Sequence, residues 1–391
     1  MSYVDVEYYQ RFKDGERVGG DSFLSKKIKE ENRVISVLSD GLGSGVKANV
    51  LSTLTATMAL NYVTKDMDIE KAARVIMRTL PVCKIRKISY STFTIVDVEE
   101  DNNVRIIEYD NPSFILLRGR EVVDIEKASI LLDTDKSKED VLRRVEFKAE
   151  TGDRIVVFSD GVSQSGMGLP DFPLGWEEKD IKDFVSGIVK DNENISAREL
   201  SRSIVRKAYS NNNNSAGDDI TCGVINVREP RNLLVMTGPP LHPEKDTEMA
   251  RIYSSFRGEK ILCGGTTANI IGRELQKEIE VDMSALNKHV PPVSKMEGAL
   301  LITEGTITLG RTAEILEKEM RLEDMELDGA VMLVKHLINH DRINFCVGTR
   351  INEAHQDPNV PVELEIRRNI IKGIIRVLEN KYLKETNLQF I

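Results

Sequence analysis

Two stretches of this chain end a run of apolar residues on a carboxylate beside glycine: VISVLSDGLGSG, Val34 to Gly45, and RIVVFSDG, Arg154 to Gly161. An aspartate so placed can serve a nucleotide, a metal or nothing but a turn. The nucleotide templates fail: a P-loop read from Gly41 requires glycine where Val46 stands, and a dinucleotide loop from Gly41 or Gly43 lacks its last glycine. Asp40 also precedes the glycines, where it would repel a pyrophosphate unless a cation intervened. GGDSF adds Asp21, and AGDDITCGVIN adds Asp218 and Asp219 just before a strand. A lone Asp-Gly is a turn. Several carboxylates brought to one end of a layered domain repel one another unless divalent cations neutralise them. Gly41, with no Cβ, leaves a backbone carbonyl beside Asp40 open to such a cation.

The other ligand types sit elsewhere. All five histidines (His242, His289, His336, His340 and His355) lie in the last 150 residues, so a zinc site is not expected at the aspartate motifs, whereas a hard cation held by carboxylates is. Cys83, Cys222, Cys263 and Cys346 show no pairing or CxxC spacing and are expected to be buried free thiols of a reducing compartment. His336 and His340 share one helical face in VMLVKHLINH. Without the glutamate of H-E-x-x-H or a visible third ligand, a structural role is the expectation.

The elements that must position these groups change character along the chain. At 391 residues, with 40% hydrophobic and 30% charged residues, two globular domains are expected. A net charge of −9 argues against nucleic acid as the main partner. No apolar run reaches membrane-span length, and MSYVDVEYYQ lacks the basic and apolar regions of a signal peptide, so a cytoplasmic protein with no membrane partner is expected. Strands, helices, strands, two helices and a closing strand, ITCGVINV, predict a layered α+β domain over 1–228. Within it Asp68 is the predicted N-cap of the helix DIEKAARVIMRTL. REPRN, Arg228 to Asn232, reads as a linker. Over 233–391 a strand, a Gly/Thr loop and a helix recur three times, which predicts a smaller doubly wound α/β domain. In it Gly264, Gly265, Thr266 and Thr267 stand between strand and helix, a place that suits a small anionic ligand or serves as an ordinary turn.

The ordered series G-D, D-G-x-G-x-G, S-D-G and D-D-x-T resembles the metal-dependent (PPM-type) protein serine/threonine phosphatases, in particular the bacterial branch typified by stage II sporulation protein E, over roughly residues 1–228. The resemblance implies an N-terminal αββα sandwich and a two-ion centre of Mn²⁺ or Mg²⁺. Asp40 would bridge the ions, the Gly41 carbonyl would complete the first, Asp160 and Asp218 would hold the second, and Asp21 would support the first. Asp219 would stand behind the ligands. The implied substrate is a phosphorylated regulatory protein of the anti-anti-sigma type. The phosphate-binding arginine of eukaryotic members has no clear counterpart in this chain; Arg17 is the nearest candidate by position. Two other readings use the same residues: a non-catalytic regulator built on the phosphatase scaffold, and a small-molecule phosphoesterase. No motif of the second domain completes a named fingerprint, and the domain is expected to regulate the first.

Overall fold

A computed structural model describes residues 2–79, 91–132, 140–281, 294–318, 320, 322, 325–350 and 361–391. The chain divides into two compact units, Met1–Glu229 and Pro230–Ile391. The connection between their flanking strands is short, because one strand ends at Arg228 and the next already begins at Asn232.

In chain order the first unit comprises β1 (Tyr3–Arg11), β2 (Asp21–Ile28), β3 (Arg33–Gly41), α1 (Gly45–Thr64), α2 (Ile69–Thr79), β4 (Ser91–Val98), β5 (Asn103–Tyr109), β6 (Ile115–Arg118), β7 (Glu121–Val123), β8 (Ala128–Leu132), β9 (Asp140–Lys148), β10 (Asp153–Phe158), α3 (Asp160–Ser163), α4 (Glu178–Asp191), α5 (Ala197–Asn211) and β11 (Ile220–Arg228). Two sheets result, in the orders β1-β11-β10-β6-β7 and β2-β3-β4-β5-β9-β8. The α2 start is as expected: the Asp68 carboxylate accepts from the amides of Glu70 and Lys71 at 3.1 Å each. The β8–β9 hairpin was not read from the sequence. Its strands, ASILL and DVLRRVEFK, lie at the sheet edge with many exposed positions, so apolar periodicity is faint there.

Strand alternation sorts the core into three layers. Ile35 and Val37 of β3 face α1 and α2, packing with Ala56, Ala59, Ile69 and Ile76. Val34 and Leu38, one residue out of phase, join Phe23, Ile155, Val157 and Ile225 between the two sheets. On the far side Val156, Phe158 and Val224 pack against α4 and α5 through Ile181, Val185, Leu200 and Ile204. The order is helices, sheet, sheet, helices: the αββα sandwich. Sheet-to-sheet contact is close enough that a Cβ on Gly223 of β11 would lie 2.2 Å from the Phe23 ring.

The second unit comprises β12 (Asn232–Thr237), α6 (Asp246–Ser255), β13 (Glu259–Cys263), α7 (Gly265–Leu275), β14 (Glu280–Val281), β15 (Ser294–Lys295), β16 (Leu301–Thr303), α8 (Thr306–Lys318), α9 (Gly329–Asn339), β17 (Arg342–Val347), α10 (Pro361–Asn380) and β18 (Glu385–Phe390). Its sheet runs β14-β15-β16-β13-β12-β17-β18, with β16, β13, β12, β17 and β18 parallel and β14 and β15 antiparallel at one edge. Leu233, Val235, Ile261 and Phe345 pack with α8, α9 and α10 on one face. Leu234, Met236 and Leu262 pack with α6 and α7 on the other. This is the open doubly wound arrangement. Cys222, Cys263 and Cys346 are free and buried; Cys83 lies outside the described residues. No described helix is long and apolar enough to cross a membrane.

Candidate metal centre

The phase of the strands decides where the aspartates go. Asp40 shares the face of Val34 and Leu38, and Asp21 the face of Phe23, so both belong to the inter-sheet side. β2 and β3 pair with Asp21 directly opposite Asp40, at the end of the sandwich. Across the gap, Asp160 opens α3 just beyond β10, and Asp218 and Asp219 immediately precede β11. The four predicted ligands therefore converge from both sheets. They are graded by depth: Asp21 is buried, Asp40 and Asp160 are half-buried, and Asp218 is exposed at the mouth.

Like charges crowded together and taken out of water hold on to protons. Burial pushes the Asp21 carboxyl up to about 8, with the charges of Asp219 and Asp160 adding to the shift. Burial also holds Asp40 well above the usual carboxylate range, reinforced by the charges of Asp21, Asp160 and Asp218 and by its hydrogen bond with Asp160. Asp160 is raised by burial, against hydrogen bonds from Asp40, the Gly161 amide and Gln164. Asp218 is raised by burial and by Asp160, while Lys13 pulls the other way. An all-oxygen set that must otherwise take up protons fits hard divalent cations. The Gly41 carbonyl lies in this neighbourhood, 3.6 Å from where a Cβ on Gly20 would be.

Several residues that hold the cluster were not assigned roles from the sequence. The Thr221 hydroxyl donates to Asp21 Oδ2 at 2.6 Å, and the Ser159 hydroxyl also bonds this carboxylate. Ser159 Oγ in turn accepts the Thr221 amide at 3.1 Å. Both residues lay in view in the motifs S-D-G and D-D-x-T, but only the inter-sheet packing pairs them with Asp21. Gln164 Nε2 donates to Asp160 Oδ2 at 2.8 Å. Asp110, exposed in the turn after β5, adds negative charge that raises Asp160.

Asp219 stands apart from the four. Its carboxylate accepts the amides of Lys13 at 3.0 Å and Gly20 at 2.6 Å, which ties down the loop between β1 and β2. Arg17 is exposed on that same loop. The glycines of the two Asp-Gly pairs are steric requirements, with no positive φ. A Cβ on Gly41 would meet the Ala48 carbonyl oxygen at 2.1 Å, and one on Gly161 the Asp219 carbonyl oxygen at 2.0 Å. Gly161 thus lets the Asp160 and Asp218–Asp219 segments touch.

In the second unit the Gly264–Thr267 segment is tighter than the loop read from the sequence. Gly264 alone makes the turn, at φ 125°, and α7 begins at Gly265. Gly265 and Thr266 are exposed in the first helical turn, where amides lack intrahelical partners, whereas Thr267 is fully buried with an unpartnered hydroxyl.

Known proteins resemble the first unit. A stretch of 66 residues is 33% identical to phosphoserine phosphatase RsbX of Bacillus subtilis (strain 168), covering 17% of this chain and 32% of that protein, so the chain spans about a third of this curated relative's length. Among solved structures, the PP2C phosphatase domain with a fragment of the regulatory domain of the cell fate determinant SpoIIE from Bacillus subtilis aligns over 58% of this chain and 64% of that one, at 17% identity and a TM-score of 0.48. RsbX in complex with magnesium aligns over 57% and 96%, at 22% identity and a TM-score of 0.41. The family of stage II sporulation protein E (SpoIIE) matches residues 30–228, just over half of this chain, and the chain belongs to that family.

Proposed function

We propose that residues 1–228 are a metal-dependent protein serine/threonine phosphatase, and that residues 233–391 form a domain that regulates it. The observation that carries this reading is the convergence of Asp21, Asp40, Asp160 and Asp218 from two sheets on one end of the sandwich, with carboxyls pushed toward protonation. Membership of the SpoIIE family and the activity named for RsbX support it.

Asp40 would bridge two cations, Mn²⁺ or Mg²⁺, with the Gly41 carbonyl and Asp21 serving the first and Asp160 and Asp218 the second. The chemistry such cations would supply at these residues is acidification of a water and neutralisation of phosphoryl charge. The chain's own part is positioning. Thr221 and Ser159 fix Asp21, Gln164 fixes Asp160, and Asp219 anchors the β1–β2 loop beside the mouth. Asp218, the exposed member, would be the ligand most open to an incoming phosphorylated side chain. The substrate class is a regulatory phosphoprotein, of the anti-anti-sigma type by family resemblance. Buried free thiols suit a cytoplasmic location. For the second domain, the open first turn of α7 and the unpartnered Thr267 hydroxyl favour a small anionic ligand near Gly264–Thr267.

The test uses the full chain, stripped with EDTA and assayed on p-nitrophenyl phosphate and on a phosphoserine protein. Activity should vanish with chelator and return with Mn²⁺ or Mg²⁺. Full activity in excess EDTA sinks the metal mechanism, no activity on any substrate leaves only the scaffold reading, and activity confined to small esters makes the protein a phosphoesterase.

A further inference from the structure

The sequence pairs His336 with His340 but offers no third ligand; the fold supplies one. Glu259, the first residue of β13, meets the C-terminal end of α9, and the ligand atoms of Glu259, His336 and His340 all lie within 4.8 Å of one another. We infer that these three residues form a second metal site, selective for a borderline transition ion such as Zn²⁺ and separate in chemistry from the aspartate cluster.

The hydrogen bonding points the same way. His340 Nδ1 lies 2.6 Å from the His336 backbone carbonyl, an acceptor only, so Nδ1 carries the proton. Nε2 is left facing Glu259 Oε2 at 2.9 Å. A neutral imidazole would aim a lone pair at a carboxylate there, so either a second proton or a cation must sit between them. A ring N–H held by a backbone carbonyl is also the arrangement that orients metal-ligating histidines. The helix C-terminus adds a partial negative charge that favours a cation.

Two imidazoles and one carboxylate suit Zn²⁺, Co²⁺ or Ni²⁺ better than Mg²⁺ or Mn²⁺, with a fourth position open to water. Tetrahedral ligation at zinc distances places ligand atoms about 3.3 Å apart. Side-chain rotation of exposed Glu259 and half-buried His336 can close the present spread while buried His340 stays in place. The site lies at the amino-terminal edge of the parallel strands, on the opposite side of the sheet from Gly264–Thr267. It adjoins Asp341, which accepts the Arg231 amide at 2.7 Å and so ties down the start of the unit. A bound ion would brace α9 against β13 beside that anchor.

The experiment titrates Zn²⁺ into the full chain with excess Mn²⁺ present to occupy the aspartates, and follows Co²⁺ absorption in parallel. One equivalent of Zn²⁺ should bind, with a strong visible band of four-coordinate Co²⁺. His336→Gln, which leaves the His340–Glu259 contact intact, and Glu259→Gln, at an exposed position, should each weaken Zn²⁺ binding by at least about 100-fold, since even groups that only orient metal ligands cost about 10- to 100-fold. No Zn²⁺ bound under excess Mn²⁺ would make the contact an imidazolium–carboxylate ion pair and overturn the site. So would binding unchanged in both variants.

Discussion

The aspartate cluster and the Glu259–His336–His340 group differ in donor, in depth and in how they are assembled. The aspartate cluster is all oxygen, reaches down to a buried residue, and draws on both sheets of a sandwich. The Glu259–His336–His340 group is mixed nitrogen and oxygen, lies near the surface, and needs only one helix end and one strand start. The first is built from carboxylates that destabilise one another unless neutralised, so its form already implies hard cations. The second sets His340 Nε2 2.9 Å from Glu259 Oε2, a contact that calls for a proton or a softer ion between them. Donor type and crowding therefore distinguish the two proposed metal sites.

The sharpest way to break this contrast is Asp40→Asn. It should lower Mn²⁺-dependent hydrolysis by at least about 100-fold, since even residues that merely orient metal ligands cost about 10- to 100-fold. It should leave one-equivalent Zn²⁺ binding intact. Because it removes a crowded charge, the melting temperature in EDTA should hold or rise. An active Asp40→Asn enzyme would refute the bridging role.

Thr221→Val probes the support behind the ligands. Losing the 2.6 Å hydrogen bond to buried Asp21 should raise the Mn²⁺ concentration for half-maximal activity by about 10-fold, with saturated activity changing less. A fall in saturated activity alone would place Thr221 in catalysis rather than in metal binding.

Gly161→Ala tests whether backbone contact between the Asp160 and Asp219 segments builds the site. A Cβ 2.0 Å from the Asp219 carbonyl should cost about 1–3 kcal/mol and reduce Mn²⁺-dependent activity. Gly217→Ala is the control, because a Cβ there meets nothing within 4 Å. Equal melting temperatures for the two variants would mean that the close approach has no energetic consequence.

A further effect concerns pH. Asp21 is raised to about 8 in the folded protein, above the ordinary carboxylate value of the unfolded chain. The folded state thus binds more protons, and the stability this contributes is full below the unfolded value and is lost as pH climbs through about 8. In EDTA the melting temperature of the first unit should fall as pH rises from 5 to about 8, a trend opposite to ordinary acid denaturation. Saturating Mn²⁺ should flatten it, because the cation replaces the protons. A metal-free melting temperature that rises over this range would contradict the crowding of the carboxylates.

How much of this was legible depends on the range of the interaction concerned. The strand-end aspartates and the Asp68 cap are local patterns, written within one strand end or in a cap two residues from its amide. The edge hairpin β8–β9 was not legible, because exposed edge positions carry little apolar signal. The glycines were legible as glycines, but not for their reason, which is a carbonyl from another segment 2.0–2.1 Å from the missing Cβ.

By itself, then, the sequence determined the ligand types, their strand-end settings and the change of rhythm near Arg228, since each depends on residues within a few positions of one another. Only the tertiary structure decided that Asp21 faces Asp40 in register, that Thr221 and Ser159 close on Asp21 from the other sheet, and that Glu259 meets His336 and His340. Those pairings join residues far apart in the chain. Sheet register and layer packing set them, and neither is encoded in local spacing.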